Sequence, residues 1–98
     1  MDYPWRRRDT AVRDRVSGSE AMMYEILDTV VLARDVPEEG LRRGDLGAIV
    51  EVFGSDGLEV EFVTGSGRTQ AVLTLSVADV RPVQDRDLIA VRPLDEAK

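Results

Sequence analysis

Between Thr29 and Leu75, apolar and polar residues alternate in short bursts separated by glycine-rich turns. The segment Leu41 to Phe62, LRRGDLGAIVEVFGSDGLEVEF, holds two such bursts with a tight turn between them. A period of two marks a half-buried strand, because successive side chains point to opposite faces. The first strand is EILDTVVLARDV, centred on the β-branched run that starts at Thr29. GAIVEVF, LEVEFV and TQAVLTL supply the second, third and fourth. VRPV is a short closing strand, with Pro82 near its end. PEEGLRRGD, punctuated by Pro37, Gly40 and Gly44, reads as a long loop and not a helix. GSDG is a hairpin turn in which Asp56 and Gly57 are expected to take left-handed geometry, and TGSGR is a second turn of the same kind. SVADV is too short for a full helix and suits one 3₁₀ turn.

Five short strands in this order predict an all-β domain: a small, five-stranded, SH3-like, partly open barrel with one 3₁₀ turn before the last strand. The barrel occupies residues 23–83. Residues 1–22 read as a flexible extension, with SGSE as a spacer and room for a short frayed helix over Asp9 to Val16. Residues 84–98 form a polar tail around one apolar patch, Leu88 to Val91, which is expected to pack on its own barrel. In the second strand, alternation assigns Ala48, Val50 and Val52 to the core and Ile49, Glu51 and Phe53 to the outer face. In the third, Leu58, Val60 and Phe62 face the core, while Glu59, Glu61 and Val63 face out. Ile49, Glu51, Phe53, Glu59, Glu61 and Val63 are therefore the candidate protein-binding residues: acid mixed with exposed apolar side chains. The plainer reading is a solvated hairpin face, with Arg68 or Gln70 relieving the repulsion.

The residues also carry a resemblance. Leu27 to Leu32, Asp35, Pro37 to Leu41, Gly44, Asp45, Gly47 and Val50 to Val52 are similar in register to the DUF4926 family of small bacterial proteins. The likeness continues through Glu59 to Phe62, Gly67 to Thr69, Leu73 to Leu75 and Val80 to Arg81. The family has no assigned activity, so the resemblance implies a fold and little more. More weakly, GDLGAIVEV resembles the KOW segment of ribosomal and transcription proteins. That segment tends to be basic around its turn; here Arg42 and Arg43 are followed by acid.

Composition narrows the chemistry. The chain has 98 residues, no cysteine and no histidine. A chain so short buries roughly 60–65% of its unfolded surface, which leaves little room for a deep cleft. Disulfides, thiolate sites, the commonest general base and the commonest zinc ligand are all missing. The only lysine is Lys98, so a serine nucleophile lacks a base. Glu38 with Glu39, and Asp85 with Asp87, have no calcium-loop spacing. RRGDLG and TGSGR lack the lysine of a phosphate loop. Gly44 and Gly47 instead suit a loop-to-strand turn needing positive φ or close packing, with Asp45 bonding nearby amides. No apolar run approaches the roughly 20 residues of a membrane span.

Net charge is -6, which disfavours nucleic acid and anionic membranes and favours a basic partner. The expectation is a cytoplasmic, non-enzymatic, protein-binding module with no cofactor, monomeric or a small homo-oligomer. Neutralising a larger basic protein, such as a toxin whose active site binds nucleic acid, is one form of this. The alternative is a KOW-like RNA- or ribosome-associated module using Arg6, Arg7, Arg8, Arg42 and Arg43, with Tyr3 and Trp5 for stacking.

Overall fold

The computed structural model describes residues 23–94. The arginines Arg6, Arg7 and Arg8, the aromatic pair Tyr3 and Trp5, the helix expected over Asp9 to Val16, and Lys98 lie outside the described residues. Five strands form one antiparallel sheet: β1 (Thr29–Leu32), β2 (Leu46–Phe53), β3 (Gly57–Val63), β4 (Thr69–Ser76) and β5 (Val80–Pro82). Their order across the sheet is β4-β3-β2-β1-β5. The last strand returns beside the first, as an SH3-like arrangement requires, and the hydrogen-bonded ladder stays open between β4 and β5. A 3₁₀ turn, Val77–Asp79, precedes β5. A capping box starts it: Ser76 Oγ accepts from the Ala78 amide, and Asp79 Oδ2 accepts from the Ser76 amide.

The core draws on all five strands of the sheet. Val30, Leu32, Ile49, Leu58, Val60, Phe62, Ala71, Leu75 and Val80 are buried together. In β3 the alternation holds as read: Leu58, Val60 and Phe62 face in.

In β2 it does not hold throughout. Ile49 pairs with Val60, but Glu51 pairs with Glu59, so Val50 is an extra residue on its strand. Such a bulge advances the phase by one, and every residue before it points the other way. Ile49, expected outside, is fully buried at 0% exposure. Ala48 and Val50, expected in the core, are only half-buried and stand outside the core cluster. After the bulge the expected phase returns: Val52 packs on the core, and Glu51 and Phe53 are exposed. A second bulge puts Gln70 out of register in β4, between Phe62–Ala71 and Val63–Thr69.

The turns differ in one detail from expectation. The left-handed residue of the first hairpin is Gly54, at φ 53, and neither Asp56 nor Gly57 has positive φ. In the second, Gly67 is left-handed at φ 87, after a turn closed by its amide on the Thr64 carbonyl. That is a type I turn followed by a glycine bulge, which matches the twist of the flanking strands.

The long loop after β1 is a built element. Pro37–Glu39 forms a 3₁₀ turn opened by proline and closed by Gly40 in left-handed geometry, φ 74. On either side, Val36 and Leu41 exchange amide-to-carbonyl bonds of 3.0 and 3.1 Å and bury both side chains in the core. Gly44 has φ 98, as its turn position suggests, while Gly47 is needed for close packing against Val60 and Phe62.

Candidate functional site

The outer face of β2, β3 and β4 follows from strand alternation and register. Glu51 stands directly opposite Glu59, which stands opposite Thr74. Ala48, Glu61 and Val72 form the next row. Phe53, Val63 and Val72 are large apolar side chains left exposed around these acids. Glu61 accepts a 2.5 Å bond from the Thr69 hydroxyl. Among the described residues, no guanidinium pairs with Glu51, Glu59 or Glu61. Gln70, one expected source of relief, is turned elsewhere: its side-chain amide donates to the Glu39 carbonyl at 3.0 Å. Five of the six candidate contact residues thus share this face, and Ile49 is excluded by burial. Val72 belongs with them and was missed; the alternation of TQAVLTL could have placed it there.

Arg42 and Arg43 lie at the loop-to-strand turn, with exposed side chains. Their backbone amides build that turn. The Arg42 amide donates to Asp45 Oδ2 at 2.8 Å, and the Arg43 amide donates to Asp35 Oδ1 at 2.8 Å. Asp45 therefore does fix the turn, by reaching back to Arg42.

Asp45 has a second role that adjacent residues in the sequence do not announce. Arg92, from the tail, grips it in a two-pronged fork: Nε to Oδ1 at 2.9 Å and Nη2 to Oδ2 at 2.6 Å. The same Nη2 donates to the Gly40 carbonyl at 3.1 Å. Bidentate, charge-assisted pairs of this kind are the strong ones. Partial burial pushes the Asp45 carboxyl up, but the bonds from Arg92 and the Arg42 amide outweigh it and hold the group below its usual range. A second pin holds the start of the tail, where Arg81 donates from both terminal nitrogens to Asp87 at 2.8 and 3.0 Å.

Between the two pins the apolar patch does not pack as expected. Leu88 is 92% exposed, Ile89 65% and Val91 97%. The tail is held by polar anchors, and Leu88, Ile89 and Val91 stand in solvent. The paired carboxylates do not converge either. Glu38 and Glu39 lie in the 3₁₀ turn, while Asp87 is committed to Arg81 and to the Gln84 amide. Among the described residues no three carboxylates come together as a metal group, and no helix is long and apolar enough to cross a membrane.

The Arg81 bond, helped by the Gln84 amide, lowers the Asp87 carboxyl to about 2. An unfolded aspartate titrates at about 3.9. The folded value is the lower one, so this contribution is complete above the unfolded value and is lost as pH falls through about 2. NMR titration of the side-chain carboxyl should give that value, and Arg81→Met should return it towards the ordinary range.

These features define a class: a small all-β domain built on one open antiparallel sheet, with an acidic outer face and a tail strapped across its long loop. The sequence places it more narrowly. The family model for a domain of unknown function, DUF4926, matches residues 26–82, and the chain belongs to that family. The match ends at Pro82, before the tail that carries Asp87 and Arg92. No curated protein and no solved structure matches the chain.

Proposed function

We propose that this domain is a non-enzymatic module that binds a basic protein on the outer face of β2, β3 and β4. The observation that carries the reading is the pairing of Glu51 with Glu59, with no cation beside them among the described residues. Like charges directly opposite each other on a sheet are destabilising. Among the described residues no ion pair compensates this repulsion, and a lysine or arginine from a partner would relieve it. Exposed Phe53, Val63 and Val72 supply the apolar area that a protein interface needs beside its charges. Neutralising a toxin that binds nucleic acid is the form of this function best suited to so small and acidic a chain. The setting proposed is the cytoplasm, and the state a monomer or small homo-oligomer.

Glu59→Lys separates this role from folding. Opposite Glu51 it forms an attractive pair, so thermal unfolding should report a gain of about 0.2–1 kcal/mol. The same variant should fail to retain the basic protein that the wild-type full chain holds after nuclease treatment. Unchanged retention by Glu59→Lys and Glu61→Lys together would remove the outer face from consideration. Nuclease-sensitive retention, lost on replacing Arg42 and Arg43, would favour the RNA-associated module instead.

A further inference from the structure

Beside the outer face runs a cleft of about 820 Å³, lined by Leu41, Leu46, Phe62 and Val63 on the sheet side and by residues from Ala90 to Leu94 on the tail side. Asp45 and Gln70 also open into it. Of the tail's apolar side chains, Leu94 lines it, while Leu88, Ile89 and Val91 are largely exposed. What enters is the Arg92 guanidinium.

We infer that the Asp45 carboxylate and the Gly40 carbonyl form a guanidinium-binding site, held in the free protein by Arg92 and open to an arginine-bearing, apolar segment of a basic partner. The geometry is that of a receptor. Both carboxylate oxygens and one main-chain oxygen converge on a single planar cation, at 2.6 to 3.1 Å. The oxygens are fixed from behind. Asp45 is held by the Arg42 amide. The Gly40 amide closes the 3₁₀ turn on the Pro37 carbonyl at 3.0 Å, and Gln70 ties the neighbouring Glu39 carbonyl to β4. Such an array is set before the cation arrives, so little ordering is needed on binding.

The cation now in place belongs to the chain's own tail. Arg92 sits downstream of the Arg81–Asp87 pair, on a segment where Leu88, Ile89 and Val91 are exposed. A partner segment that buries its apolar residues against Leu46 and Val63, which are not fully covered, would make the same fork and add contacts that Leu88, Ile89 and Val91 do not make. The tail would then act as a competitor tethered in the same molecule, at an effective concentration in the millimolar range. The site rests on the proposed binding role only for the partner's charge. It is distinct from the glutamate face and meets it only at Val63.

The test uses the full chain and a synthetic peptide of the tail's own residues 88–94, LIAVRPL, blocked at both ends. Wild type should bind it weakly, because Arg92 holds the site. Arg92→Ala should bind it at least about tenfold more tightly, with amide shifts at Gly40, Leu41 and Asp45. A peptide with citrulline for arginine keeps the shape and loses the charge, and it should lose that gain. Three results would overturn the inference: equal affinity for wild type and Arg92→Ala, equal affinity for the citrulline peptide, or a wild-type dimer that Arg92→Ala converts to monomer. The last would mean that the fork joins two copies of the chain. None of these readouts depends on Glu59 or Glu61, so this site and the outer face fail separately.

Discussion

Ile49→Ala should lower the free energy of unfolding by about 2–5 kcal/mol, whereas Val50→Ala, one residue on, should change it by less than about 1 kcal/mol. Ile49 is fully buried against the central core and paired with Val60. Removing its outer carbons loses their transfer free energy and leaves a cavity between strands that cannot collapse freely. Val50 is the extra residue of the bulge, half-buried and outside the core cluster. Urea unfolding of the two variants reads the contrast directly. Equal effects, or a larger one at Val50, would mean that β2 runs in the uninterrupted phase, with Val50 inside.

The second large effect is expected at Gly47. A Cβ there would lie 2.6 Å from Val60 Cγ1 and 2.8 Å from Phe62 Cε2. Both neighbours are buried, and a valine has little freedom to rotate away. Gly47→Ala should therefore cost about 1–3 kcal/mol through overpacking. Gly47→Val adds two further methyls to the same space and, against a total stability of roughly 5–15 kcal/mol for a domain, should remove most of the cooperative transition. Gly65→Ala is the control: nothing lies within 4 Å of its added Cβ, and its φ is not positive. Thermal melts should find Gly65→Ala neutral or slightly stabilising, because the unfolded chain loses freedom.

These two positions also mark the limit of what local pattern can say. Strand alternation was enough to find all five strands, the closing 3₁₀ turn and the inward set Leu58, Val60 and Phe62, because each depends on neighbours within one segment. Glu51, Phe53, Glu59, Glu61 and Val63 were placed on the outer face for the same reason. Ile49 was misplaced because a bulge is a property of two strands. It appears only when Ile49 and Glu51 are counted against Val60 and Glu59. The left-handed residue of the first hairpin was likewise assigned to Asp56 and Gly57 when Gly54 takes it. Two adjacent glycine-containing turns of the same composition can close a hairpin, and the strand register selects between them.

The tail shows the difference in its sharpest form. Four apolar residues in a row, Leu88 to Val91, suggested packing on the barrel, since hydrophobic burial is the default for such a run. The structure anchors the tail instead by charge, at Arg81–Asp87 and at Arg92–Asp45. Arg92 and Asp45 are 47 residues apart, and nothing in RRGDLG or AVRP names the other. Local sequence thus determined the elements of this protein, its acidic charge and which side chains can share a strand face, because these follow from periodicity and composition. Tertiary structure alone decided the phase of β2, the exposure of the tail and the site on Asp45, because each depends on which distant residues the folded sheet brings within a few ångströms of one another.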